Sequence, residues 1–316
     1  MTSKNDTTRG ITFIVIGMAI FSIQDALIKF IFQYTSLYEL YFGRTFIALL
    51  LLLTFMYFRK KKIILKTHYP YLTIFRVILY FFGFSFFYIS LTYMSLAMAN
   101  ALFFSSPFFV SILAIIFLNE KVGIRRWLAI SLGFIGVFIV LNPDFNDFDY
   151  KKLAPIACAL CYSISMTITK YTSDKDNSYT QMMHLYFGAT IISILFFIFT
   201  GSGQFDNSSD PTFQFIFREW FTNPTYAWPI IILMGFIGAL AFFCVFNAYS
   251  IASPSVVSLY EYSLIIWSII IGYVLFDNIP TFRTFAGVSI IIGAGIYIYI
   301  REKVKDQMII TDTPNR

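Results

Sequence analysis

Two carboxylates sit inside long apolar stretches, and most of the chemistry this sequence offers gathers around them. Asp25 precedes Lys29 by four residues, a helical spacing that places both side chains on one face. An ionisable group at membrane depth is expensive and is by default a functional candidate with a partner to be found. The pair has two readings. In one, the two charges neutralise each other and serve packing specificity. In the other, Asp25 faces a cavity, Gln24 adds hydrogen-bonding capacity beside it, and Lys29 stands at the outer mouth. Glu261 lies several residues into its own apolar stretch, roughly 10 Å deep at about 1.5 Å per residue, where a carboxylate must be protonated, paired or facing water. Tyr260, Tyr262 and Trp267 flank it and suggest an aromatic-lined polar site, with an ion pair to Arg76 or another helix as the structural alternative. Arg44 has Glu39 nearby as an external partner, and Arg76 reads as a cytoplasmic-interface anchor within snorkelling range. The candidate substrate contacts are therefore Gln24, Asp25, Asn100, Tyr260, Glu261, Tyr262 and Trp267; the candidate gating residues are Lys29, Glu39, Arg44 and Lys170. Asn100, Ser105, Ser106, Asn247 and Ser258 are uncharged polar groups of the kind that form hydrogen bonds between helices.

Other motifs carry little. Cys158-Ala159-Leu160-Cys161 has the CxxC spelling inside an apolar stretch with no second pair to complete a metal site, so it reads as small-residue packing. His184 has no Cys or Glu cluster opposite it, and the sequons at Asn5 and Asn207 are chance-level matches. No GxxxxGK[ST] loop is present for ATP, and no HExxH or paired-acid template is spelled for an intramembrane enzyme. No metal and no cofactor is expected.

The elements that must position these residues follow from composition. Of 316 residues 58% are hydrophobic and only 13% charged, against about 25% charged in a soluble domain. That excludes a cytosolic enzyme, a nucleic-acid binder and a secreted disulfide scaffold, and the three cysteines give no disulfide framework. A bilayer core needs roughly 20 apolar residues per helix. Ten such runs appear, at about 11–32, 37–58, 71–93, 96–118, 123–141, 153–172, 180–200, 226–250, 254–276 and 281–300. The first is too long for a signal-peptide core and lacks a small-residue cleavage site, so it is expected to be retained. The fold class is all-α integral membrane protein. Sixteen Lys and Arg fall at alternate loop positions that include both ends of the chain, and four (Lys151, Lys152, Arg218, Arg283) fall at the others. Basic residues near helix ends are held inside, so both termini are expected in the cytoplasm of a multi-pass plasma (inner) membrane protein.

The sequence also repeats itself. Leu40-Tyr41-Phe42-Gly43 recurs as Leu185-Tyr186-Phe187-Gly188, and Ser22-Ile23 with Lys29 recurs as Ser163-Ile164 with Lys170. Further on, Glu120 pairs with Asp277, Arg126 with Arg283, Ala129 with Ala286 and Gly136 with Gly293. Two five-helix units, 1–148 and 149–316, are implied. Five is odd, so the second unit enters from the opposite side and the repeats are inverted, the architecture of alternating-access carriers. With Leu118-Asn119-Glu120, Pro107, the Arg126–Gly136 stretch and the matching Asp277–Gly295 stretch, the chain resembles the drug/metabolite transporter superfamily, EamA type. One departure is that Glu261-Tyr262-Ser263-Leu264 stands around the place of Pro107, so the proline break is expected in one copy only. The Ser255–Ser263 segment is similar to a branch that includes riboflavin and S-adenosylmethionine carriers.

The resulting expectation is a secondary carrier for a small amphipathic metabolite, aromatic or zwitterionic, such as riboflavin, S-adenosylmethionine or an amino acid. The alternatives are an intramembrane enzyme or a passive channel. Membrane lipid and the small-molecule substrate are the expected partners, and nucleic acid is not. The aromatic, apolar segment Phe213 to Phe221 around Arg218 and Glu219 is expected to form a short interfacial helix in an outer loop. Single cysteines in the 201–224 loop should react with an impermeant maleimide from outside intact cells, and cysteines in the 59–70 loop should not; the reverse pattern would overturn the orientation.

Overall fold

The computed structural model describes residues 4–60, 64–120, 123–141, 150–277, 279, 281–294 and 297. Among these there is helix and no strand. The chain ends, the side chains of Arg126 and Ala129, and the boundary between 148 and 149 lie outside the described residues.

Eight segments are long and apolar enough to cross a membrane. Six are α1 (Lys4–Ile31), α2 (Leu37–Phe58), α3 (Pro70–Ser90), α7 (Ala154–Thr172, entered through a 3-10 turn), α8 (Ser178–Thr200) and α10 (Ala227–Ile251). The other two are interrupted. Leu96–Leu118 consists of α4 (Leu96–Phe103) and α5 (Ser106–Leu118), and Pro254–Phe276 consists of α11 (Pro254–Val257), a 3-10 turn (Ser258–Tyr262) and α12 (Ser263–Phe276). Two further apolar helices are α6 (Ile124–Leu141) and α13 (Phe282–Ala294). The small helix α9 (Pro211–Phe217) lies in the long loop before α10. It is the short helix read from the sequence, but Phe215 on it is fully buried against Phe32 while Phe213 stays exposed. Arg218 at its end donates to the carbonyls of Phe32 and Thr35, which ties it to the end of α1.

The two interrupted segments have the same design. Each opens on a serine, Ser95 or Ser253, and each closes on a left-handed residue, Asn119 at φ 53° or Asp277 at φ 50°. Asp277 thus aligns with Asn119 rather than with Glu120, a one-residue correction to the sequence pairing. Both copies are broken, and proline marks only the first of the two breaks. Pro107 sits at the start of α5, where its missing N–H costs nothing, while the second break forms without proline through a 3-10 turn whose Glu261 is held by side chains from other helices.

Packing depends on small residues at helix crossings, as expected where lipid removes the hydrophobic drive between helices. A Cβ on Gly43 would lie 2.3 Å from Ile231 Cγ2, and one on Gly188 2.6 Å from Val77 Cγ1. These glycines are the ends of the two repeated Leu-Tyr-Phe-Gly runs. Two residues past each, Thr45 and Thr190 meet through their hydroxyls at 2.9 Å. Gly83 admits Cys161 in the same way, which accounts for the CxxC spelling as packing.

Asp176 staples Thr67 and His68, just before α3, to the turn before α8. It accepts from Thr67, from the His68 backbone N–H at 3.2 Å, and faces His68 Nδ1 at 3.0 Å. Burial alone raises its carboxyl, but these hydrogen bonds outweigh burial and hold it below the ordinary value. The folded form is therefore favoured above the ordinary carboxylate range, and the staple weakens only as pH falls through the lowered value.

Gly43→Ala should overpack α2 against α10 by about 1–3 kcal/mol and lower the melting temperature in detergent. Gly272→Ala, with open space around its Cβ, should not. Equal melting of the two variants would refute the close crossing.

Candidate functional site

Where the two interrupted segments meet α1, α3 and α7, a small cavity is lined by Met18, Phe21, Asp25, Phe84, Phe87, Asn100, Phe103, Tyr162 and Leu264. Its free volume is about 20 Å³, on the scale of one water. Asp25 is its carboxylate and is 6% exposed. Asn100 donates to Ser268 Oγ at 2.8 Å, tying α4 to α12, and its Oδ1 has no hydrogen-bond partner. The rest of the lining is almost wholly aromatic or aliphatic. Such walls suit an aromatic ring or, through their π faces, an organic cation.

Glu261 lies outside that lining, fully buried at the second break. Tyr162 donates to its Oε1 at 2.6 Å and Tyr249 to the same oxygen at 2.5 Å, while Ser106 donates to Oε2 at 3.1 Å. Three helices thus meet on one side chain: α5, α7 and α10. Arg76 forms no ion pair with Glu261. Arg76 is not an interface anchor either. It is 1% exposed, bonded to the Gln181 side chain and carbonyl, with its guanidinium over the Phe246 ring.

Arg44 is buried without a carboxylate partner, because three tyrosines surround it. Tyr88 and Tyr80 accept from its guanidinium, the latter at 2.5 Å, and it lies over the rings of Tyr41, Tyr80 and Tyr88. Phe84, which lines the cavity, packs on Tyr80 and Tyr88, so the arginine braces the wall behind Asp25. Gln24 donates to Tyr88 at 3.4 Å and leaves Oε1 unpartnered. It fits because Gly238 opposite has no Cβ; one there would stand 2.7 Å from that oxygen.

The expected partners at the bundle ends differ from those found. Lys29 does not pair with Asp25 or Glu39; its ammonium donates to the carbonyls of Leu91 at 3.0 Å and Met94 at 2.7 Å, just past the end of α3. Lys170 likewise donates to Ser250 at 3.0 Å, near the end of α10. Each lysine completes a helix C-terminus, where carbonyls lack partners and the dipole favours a cation. Glu39 accepts from the Phe221 N–H at 3.1 Å and from Asn223 at 2.7 Å, pinning the α9–α10 loop over α2. Trp267 is 42% exposed and does not line the cavity. Tyr260 is half-buried, and Tyr262 is buried with its hydroxyl against Gly133. Of the other polar candidates, Ser105 in the break bonds back to the Leu102 carbonyl of α4, Asn247 bonds within α10, and Ser258 Oγ has no partner. His184 meets the Leu65 carbonyl at 2.7 Å, and no group of three metal-ligating side chains occurs among the described residues.

Sequence reasoning did not single out Tyr162, Tyr249, Tyr80 or Tyr88. The available signal was a phenol inside an apolar helix, whose hydroxyl needs a buried partner.

The EamA-like transporter family model matches twice along the sequence, over residues 8–142 and 152–300. The chain belongs to the EamA-like transporter family. It is a membrane transporter for small metabolites and not an enzyme. An S-adenosylmethionine uptake transporter of Rickettsia felis is 27% identical over 294 residues, covering 93% of this chain and 93% of that protein. A riboflavin transporter of Vibrio cholerae is 28% identical over 198 residues, 63% of this chain and 60% of that one. A protein crystal structure shares the fold at a TM-score of 0.67 and 12% identity, covering 93% of this chain and 96% of its own.

Proposed function

We propose that this EamA-like transporter carries a metabolite joining an organic cation to an aromatic ring, with S-adenosylmethionine as the substrate. The observation behind this reading is Asp25, an acid with no cation in ion-pair contact among the described residues and only the charge of Arg44 behind the wall acting on it, in a cavity walled by Phe21, Phe84, Phe87, Phe103 and Tyr162. A sulfonium or ammonium group supplies the missing charge, and the rings take its cation–π contact and stack on the base. Riboflavin offers the ring without the cation. The Rickettsia likeness over nearly the full chain supports the same choice.

Transport proceeds by alternating access between two inverted five-helix repeats, 1–148 and 149–316, with α6 and α13 completing ten spans in the inner membrane and both termini cytoplasmic. Several features support this. The family model matches twice, the interrupted segments share their end structures, and Thr45 meets Thr190, its counterpart in the repeat. Lys29 and Lys170 occupy matching positions and close opposite ends of the bundle, with Glu39 reinforcing the outer one.

Proteoliposomes containing the full chain should take up labelled S-adenosylmethionine with saturation and counterflow. Asp25→Asn should lower that uptake at least tenfold while the protein still elutes as a folded species. Uptake of riboflavin that S-adenosylmethionine does not inhibit would overturn the cation reading, and non-saturating flux would point to a channel. Lys29→Ala should favour an outward-open state and Lys170→Ala an inward-open one, seen as opposite shifts in reactivity of a cysteine placed in the cavity. Shifts in one direction, or none, would make the lysines structural caps.

A further inference from the structure

Asp25 accounts for one buried acid, and Glu261 is a second that does not line the cavity. The two are joined by one residue. Tyr162 forms part of the cavity wall and also donates its hydroxyl to Glu261 Oε1 at 2.6 Å. We infer that Glu261 is a proton-binding site, that one proton crosses on it with each substrate molecule, and that Tyr162 links substrate entry to proton uptake.

The surroundings of Glu261 leave a proton as the neutralising partner. From α7 it faces Tyr162, with Cys158 behind it; from α10, Tyr249; from α5, Ser106; on its own turn, Tyr260 and Tyr262. From α1, Asp25 lines the same cavity as Tyr162 and Leu264. No lysine, arginine or histidine lies within ion-pair distance of it among the described residues. Moving a bare carboxylate through a low-dielectric interior is costly, and a bound proton removes the charge.

The cavity has room for about one water, so any metabolite must push its lining aside. Tyr162 is the lining residue with a hydroxyl to lose. When it swings away, Oε1 keeps only Tyr249, and Oε2 keeps Ser106. A carboxylate stripped of a donor gains more from a proton than one that is fully bonded. The proton comes from water on the side where the substrate enters. It leaves to the other side once the substrate departs and Tyr162 returns. No covalent bond to substrate forms or breaks, and the balance is one proton moved per substrate in the same direction.

This inference rests on the carrier reading but not on which metabolite is carried. Proteoliposomes of the full chain with trapped pyranine should acidify as S-adenosylmethionine enters, and an inward proton gradient should drive accumulation. In Glu261→Gln, exchange of internal for external substrate should persist, lose its pH dependence, and bring at least tenfold less acidification. Glu261→Asp should restore acidification. Tyr162→Phe removes a competing donor, so its transport profile should move to higher pH. Substrate entry without acidification in the unmodified protein, persistent acidification in Glu261→Gln, or loss of exchange in a folded Glu261→Gln each overturns the inference. If Glu261→Gln does not fold, the Tyr162→Phe profile decides, and an unchanged profile refutes the link. If S-adenosylmethionine is not carried, infrared pH-difference spectra of the purified protein supply the answer without substrate. A protonated-carboxyl component should be lost in Glu261→Gln and be distinct from any component lost in Asp25→Asn; a spectrum unchanged in Glu261→Gln counts against the proton site alone.

Discussion

A carboxylate removed from water must be held by donors from the protein, because the cost of leaving it unbonded exceeds what one helix contact returns. Glu261 draws those donors from α5, α7 and α10, and in doing so fixes where the rest of the bundle can sit. Ser106, its donor from the first interrupted segment, also accepts from Ser163 through its backbone carbonyl at 3.1 Å. The two breaks are thereby brought together at one side chain. Irregular backbone at membrane depth is tolerated only where protein or a cavity covers it, and here each break supplies cover for the other.

The same economy of donors governs the buried arginines. Arg44 and Arg76 have no acidic partner among the described residues, yet both are nearly inaccessible. Phenol hydroxyls, an amide and ring faces solvate them instead, which keeps a fixed charge in place without drawing a second charge out of water. Arg44 so held cannot swing into the cavity without abandoning two tyrosines, so its charge acts on Asp25 from behind the wall and not through a direct ion pair.

The spans were legible because apolar run length is imposed by the bilayer, and their observed ends fall within a few residues of the hydropathy boundaries. Asp25, Gln24, Asn100 and Glu261 were legible as polar groups in apolar runs. Their partners were not, since Tyr162 or Tyr88 carries no mark that separates it from the other tyrosines of a chain with 21 of them. Adjacency in sequence misled for Trp267: Glu261 lies on the 3-10 turn and Trp267 on α12 after it, so the two do not share a helical face. The i, i+4 spacing of Asp25 and Lys29 was also insufficient. A lysine stem is long enough to carry its ammonium to the carbonyls of another helix end. The second break escaped because it uses no proline; the tertiary bonds to Glu261 hold it, and those lie 12 to 155 residues away in sequence.

The contact between Thr45 and Thr190 contains a shortage of hydrogens. Each hydroxyl is placed to donate to the carbonyl four residues back, Tyr41 or Tyr186, at 2.8 Å, and each is also 2.9 Å from the other. A threonine hydroxyl has one hydrogen to give, so two hydrogens must serve three contacts. At any instant one threonine gives its hydrogen to its own helix and the other must choose between its helix and its neighbour. The two ways of breaking this tie are mirror choices of nearly equal energy, separated by a hydroxyl rotation. Two helices with matching sequences therefore meet at a point that is hydrogen-bonded across the crossing only when one of them gives up the bond to its own carbonyl.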